Sequence, residues 1–210
     1  MLKNKSGFDL YKERGDQSGL YAEPTNVLSN IAFFAAAMIC WPFAKSWADG
    51  ILVAGCILVG LGSTMYHSRP CRFTQLWDVV AIVTWVMFYL FCWGHFMMGL
   101  NVTWSVGVMA GFAVSAYAFL RKYGRFLNGS ADYIPVILLL LICGSLVWYR
   151  LGHPHMVVAG LLAAIALVFR VVDNDVKIQS GTHFLWHILN GFLMAMLTMF
   201  MSVSILKDVV

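Results

Sequence analysis

The chain has 210 residues, of which 60% are hydrophobic and only 11% charged, and its mean hydropathy is +0.76. Soluble domains carry about a quarter charged residues, so these values exclude an ordinary soluble domain and place most of the chain in a membrane. The net charge of +4 comes without a basic stripe, which argues against a nucleic-acid partner and turns the placement of Lys and Arg into a topological signal.

Residues 1–24 form a polar, charged tail. It has no apolar core followed by a small-residue cleavage site, so no cleaved signal peptide is expected. Residues 25–207 are expected to form one all-α domain, a polytopic membrane protein built as a bundle of seven transmembrane helices. A bilayer core of about 30 Å needs roughly 20 apolar residues per helix. Seven runs qualify, near 26–43, 50–66, 75–98, 103–120, 134–149, 156–172 and 182–206. Pro24 and Pro154 punctuate the first and sixth, and Trp148 and Tyr149 close the fifth at an expected interface. Small residues in the fourth and sixth runs (Gly107, Ala110, Gly111, Ala113, Gly160, Ala163, Ala164) suit close helix packing. The five cysteines (Cys40, Cys56, Cys71, Cys92, Cys143) show no CxxC spacing and read as packing residues rather than disulfides or thiolate ligands.

With seven crossings, the tail and the loops after the second, fourth and sixth segments share one side. That side holds eleven Lys and Arg (Lys3, Lys5, Lys12, Arg14, Arg69, Arg72, Arg121, Lys122, Arg125, Arg170, Lys177) against three (Lys45, Arg150, Lys207) on the other. The positive-inside rule then makes the N-terminus cytoplasmic; the inverted orientation is the alternative.

The polar residues inside these segments fall at one end of the bundle. Ser63 and His67, one helical turn apart, close the second segment; Asp78 opens the third; His183 and His187 open the seventh. All five are expected on the cytoplasmic side. His95, His153 and His155 belong to the opposite end. Histidines four apart project from one face of a helix, and three neutral imidazoles with an open fourth position describe a catalytic zinc site. The alternative is a set of buried histidines hydrogen-bonded to neighbouring helices. Asp78 suits a proton-transferring carboxylate, or else a helix-start aspartate paired with Arg69 or Arg72. Ser63 can bond a developing oxyanion, or its own backbone carbonyl.

The ordered combination of SxxxH (Ser63, His67), Asp78 eleven residues later, HxxxH within THFLWHILNG (His183, His187) and EPTNVLSN (Glu23 to Asn30) resembles the alkaline ceramidase family. That family sits within a superfamily of seven-helix membrane hydrolases that includes the adiponectin and progestin receptors and the Per1-like proteins. The match runs from Glu23 to His187. The resemblance implies that His67, His183 and His187 bind zinc, that Asp78 helps activate water with Ser63 in support, and that the substrate is a ceramide-like or other N-acylated lipid whose amide bond is hydrolysed. Asp173, in VVDND, also matches a family position of structural character, or caps the sixth helix. The resemblance further suggests calcium (Ca2+), with Glu23 matching the family's glutamate and Asp9, Glu13 and Asp16 as candidate oxygen donors. The family's acidic stretch is not reproduced, and a solvated tail whose acids pair with Lys12 and Arg14 is the alternative, as is Glu23 capping the first helix. The compact sequence resembles bacterial members, so a bacterial inner membrane is the expected location and a lipid entering sideways from the bilayer the expected partner. The competing expectations are a receptor-like or lipid-sensing protein with structural zinc, and a metal or proton transporter.

Overall fold

The computed structural model describes residues 2–3, 9–15, 17, 21–124 and 126–207, with side chains described except at 2, 3, 9, 10, 128 and 203–207. Apart from a two-residue antiparallel pair, Leu2–Lys3 with Asp9–Leu10, the regular structure is helical. The helices are α1 (Pro24–Ser29), α2 (Ile31–Cys40), α3 (Trp47–Ser68), α4 (Arg72–Cys92), α5 (Val102–Tyr123), α6 (Ile134–Leu151), α7 (His155–Val171) and α8 (His183–Lys207). A 3-10 turn at Trp41–Phe43 extends α2, and a π turn at Trp93–Met97 extends α4.

Among the described residues six helical spans are long and apolar enough to cross a membrane, and α7 is a shorter apolar helix. The first span, Pro24–Phe43, consists of α1, α2 and the turn after them. Each of the seven apolar runs in the sequence therefore coincides with a helix, with ends displaced by a few residues. Local chemistry sets those ends. Pro24 opens α1 as its first residue, where its missing N–H costs nothing. Ser46 and Asp49 form a reciprocal capping box at the start of α3, and Asn101 caps α5 by accepting from Trp104 N–H. Gly152, in the left-handed region, ends α6.

Packing runs from α4 to α3, α3 to α2, α2 to α8, α8 to α7 and α7 to α6. Helix α5 lies mainly on α4 and the π turn, and no comparable packing joins it to α6. Ser105 is the only buried residue of α5, and Val106, Val114 and Tyr117 stand exposed. Such apolar exposure fits a surface solvated by lipid. The small residues of the fourth segment therefore do not serve as predicted, because a side chain at Gly107 or Gly111 would meet open space. The sixth segment does bear out the close packing, since Gly160 lies against Leu141 and Ala163 is buried.

The ends of the helices alternate, so the close of α3, the start of α4, the start of α6, the close of α7 and the start of α8 gather at one end of the bundle. The core of Cys56, Trp85, Leu90, Met156, Leu197 and their neighbours fills the interior behind them.

Candidate metal centre

His67 closes α3, and His183 and His187 occupy the first two turns of α8. All three are buried, at 2%, 1% and 2% exposure, and each offers a ring nitrogen such that the three atoms lie within 4.8 Å of one another. Among the described residues this is the one group of three or more His, Cys, Asp or Glu able to hold a metal ion. His95 bonds the Leu100 carbonyl, and His153 and His155 pack around Phe200. The separation of the six histidines into two ends, expected from topology, is thus seen.

The ring environments suit metal ligation. His67 Nδ1 bonds Glu23 Oε2 at 2.5 Å, and Glu23 also accepts from Arg14 Nε at 2.5 Å and Asn26 Nδ2 at 3.1 Å. Burial alone would raise the Glu23 carboxyl, but hydrogen bonds and charge from His67 and Arg14 hold it below the usual carboxylate range. A carboxylate only accepts, so Nδ1 of His67 carries a proton and Nε2 is the ring nitrogen left for a metal. On His187 a hydroxyl sets the same tautomer. Ser29 gives its single proton to the Asn26 carbonyl at 2.9 Å, so at 2.7 Å it accepts from His187 Nδ1. His183 Nδ1 is buried and has no hydrogen-bond partner. A cluster in which outer hydrogen bonds take up Nδ1 of His67 and His187 and leave their Nε2 atoms for other partners, with His183 Nδ1 orphaned, fits a metal ion, and imidazole-rich sets suit zinc.

The start of α8 is fixed from the preceding loop. Asp173 Oδ1 accepts from Thr182 N at 2.7 Å and His183 N at 2.8 Å, while Oδ2 accepts from Lys12 N at 2.9 Å. Asp173 therefore caps α8 rather than the helix it follows. Gly181 makes room for this: it has φ +65, and a Cβ there would lie 2.2 Å from Asp173 Oδ1.

Ser63 Oγ lies 3.3 Å from His187 Nε2, so the hydroxyl faces the cluster rather than its own helix. Asp78 is brought beside it by the close approach of α4 to Gly62, where a Cβ would meet Asp78 Cα at 3.0 Å. Its Oδ1 is buried without a hydrogen-bond partner, and it interacts electrostatically with His67. Among the described residues neither Arg69 nor Arg72 pairs with it.

The acids of the tail are placed differently. Glu13 accepts from Thr25 N at 2.7 Å and Asn26 N at 2.9 Å, so it caps α1, the role considered for Glu23. The Glu23 side chain makes no capping bond and turns inward to His67 and Arg14. Arg14 Nη2 also donates to the His67 carbonyl at 2.7 Å. The Glu23–Arg14 pair is buried, unlike the solvated pairing of tail acids with Lys12 and Arg14 considered as the alternative. Asp16 and the side chain of Asp9 lie outside the described residues.

Sequence reasoning missed Ser29, Tyr11 and Arg170. Ser29 lies inside the EPTNVLSN stretch, three residues from Asn26, but nothing in one sequence pairs it with His187. The Tyr11 ring stacks on His183 at 3.7 Å between centroids, and its hydroxyl accepts from Arg170 Nη1 at 2.6 Å. Arg170 signals itself only as a cation at the end of an apolar helix. Next to the cluster, an apolar cavity of about 90 Å³ runs between α4, α6 and α8, lined by Phe33, Trp85, Ile137, Tyr133, Trp186 and Leu193 among others. The Phe33 ring lies 6.1 Å from that of His187.

No protein-family model matches the chain, and no curated protein does. The chain is therefore a largely helical protein with membrane-spanning helices and a buried three-histidine group that can bind a metal ion.

Proposed function

We propose that this chain is a zinc-dependent intramembrane hydrolase that cleaves the amide bond of ceramide-like or other N-acylated lipids, releasing a fatty acid and an amine-bearing lipid. The observation that carries the reading is the buried histidine triad with Ser63 against it and Asp78, whose Oδ1 has no hydrogen-bond partner, at the same end of the bundle. Zinc held by His67, His183 and His187 would supply Lewis acidity and a water acidified toward neutral pH.

The chain's own residues account for the rest of the chemistry. Asp78 takes a proton from the attacking water and passes it to the amide nitrogen as the C–N bond breaks and the new C–O bond forms. Ser63 donates its hydroxyl proton as a hydrogen bond to the carbonyl oxygen while negative charge develops there. Glu23 and Ser29 keep two imidazoles in the ligating tautomer. The apolar cavity takes an acyl chain, and the weakly packed edge between α5 and α6 gives it a way in from the bilayer. The excess of Lys and Arg at the triad's end supports a site in the cytoplasmic leaflet, and a bacterial inner membrane remains the expected setting.

A panel of N-acyl lipids, incubated with the purified protein with and without a chelator, tests this. The wild type should release fatty acid in a chelator-sensitive way, and Asp78→Ala should lose turnover by about 100-fold or more while keeping its metal. Bound zinc without cleavage of any N-acyl lipid would reject the enzyme and favour a lipid-sensing protein with structural zinc.

A further inference from the structure

The mechanism above leaves one half-buried cation unused. Arg170, in the last turn of α7, donates Nε to Ser130 Oγ at 3.0 Å and Nη1 to Tyr11 OH at 2.6 Å. Both partners are neutral. A guanidinium has five N–H donors, so three are uncommitted to the described residues. Among those residues no carboxylate forms an ion pair with it; Asp78 and Asp132 act on it only electrostatically. Three aromatic rings surround the guanidinium carbon, Tyr11 at 5.4 Å, Tyr133 at 5.1 Å and Trp186 at 5.6 Å from their centroids. Even partial burial of a cation without a counter-charge is costly, and cation–π contacts offset only part of that cost.

Position supplies the reason for that cost. Tyr133 and Trp186, which flank the guanidinium, also line the apolar cavity, and Trp186 precedes His187 in the chain. Arg170 is not itself a lining residue, but it stands against two of them, at the same end of the bundle as the triad. A planar guanidinium with free N–H groups matches the oxygens of a phosphate or carboxylate. We propose that Arg170 is the anion-binding residue of this site and holds the phosphate or carboxylate group of a lipid whose alkyl chain fills the cavity. The inference deepens the hydrolase reading, on which it rests for making that lipid a substrate or a product: a phosphate would belong to the headgroup of an anionic N-acyl lipid, a carboxylate to the released fatty acid.

Affinities of the full-length, metal-loaded protein in neutral detergent for dodecyl phosphate, dodecanoate and dodecanol test it without any hydrolysis. One or both anions should bind about tenfold or more tightly than the alcohol, and the preference should survive a chelator, which separates Arg170 from an ion at the histidines. Arg170→Gln should abolish the preference and Arg170→Lys keep part of it, with retained metal content showing that each variant is folded. Stronger binding of the phosphate assigns the headgroup, and stronger binding of dodecanoate assigns the released acid. Equal affinity for anions and alcohol in the wild type, or an unchanged preference in folded Arg170→Gln, overturns the proposal. Either result leaves the hydrolase reading standing if amide cleavage is seen, whereas absence of cleavage with an Arg170-dependent preference would reject the hydrolase and keep the anion site.

Discussion

The two ends of the bundle both carry histidines, yet among the described residues only one brings together a group that could hold a metal ion. At the triad's end the rings of His67, His183 and His187 converge, and polar side chains on other segments, Glu23 and Ser29, fix two of them. At the opposite end His153 and His155 are 5.8 Å apart between ring centroids, and His155 stacks on Phe200 at 4.3 Å. His155 Nδ1 is also buried without a hydrogen-bond partner, so an orphaned nitrogen alone does not separate the two ends. The difference is the third donor and the outer partners, Glu23 and Ser29, whose hydrogen bonds hold two rings in the orientation that a metal ligand needs.

Substitution at the ligands should break this contrast most sharply. His67→Ala or His187→Ala should abolish stoichiometric metal binding, measured by elemental analysis of purified protein, while His153→Ala and His155→Ala should leave it unchanged. Next in size is Glu23→Ala, which removes the His67 partner and strands Arg14. Metal affinity should fall by about 10- to 100-fold, and stability by about 3–5 kcal/mol, the usual effect of removing one partner of a buried ion pair; competition with a chelating dye and denaturant titration measure the two. Ser29→Ala should weaken metal binding by about tenfold, at the low end of second-shell effects, with little loss of stability. Asp173→Ala, which uncaps α8, should cost about 0.5–2 kcal/mol and reduce metal affinity only through the position of His183. The smallest effect belongs to the lipid-facing helix α5, where Gly111→Ala should change stability by no more than about 0.5 kcal/mol, read from thermal unfolding in detergent.

Much of this was legible in the sequence because a bilayer imposes simple rules. Apolar length gave the six spans long enough to cross a membrane and the shorter apolar helix α7, and alternation of their ends gave the shared location of Ser63, His67, Asp78, His183 and His187. Helix ends were displaced where side-chain caps extended them: Ser46 and Asp49 start α3 before the apolar run begins. What stayed hidden were contacts between segments far apart in sequence. Glu23 reads as a helix-start acid, but its partner is 44 positions away, and Ser29 is 158 positions from His187. Glu13 and Glu23 carry the same charge near the same helix, and only the folded tail shows that Glu13 caps α1 while Glu23 turns inward. The small residues of α5 misled for a related reason. Composition shows that a helix can pack closely but not whether a neighbour is there.

X-ray absorption at the zinc edge of the purified wild type, compared with His183→Ala, decides whether the histidine triad holds the metal. A coordination shell of imidazole nitrogens with no sulfur is expected in the wild type, with loss of that signal in the variant. Zinc retained in His183→Ala with an unchanged nitrogen shell would contradict this, as would a wild-type shell containing cysteine sulfur.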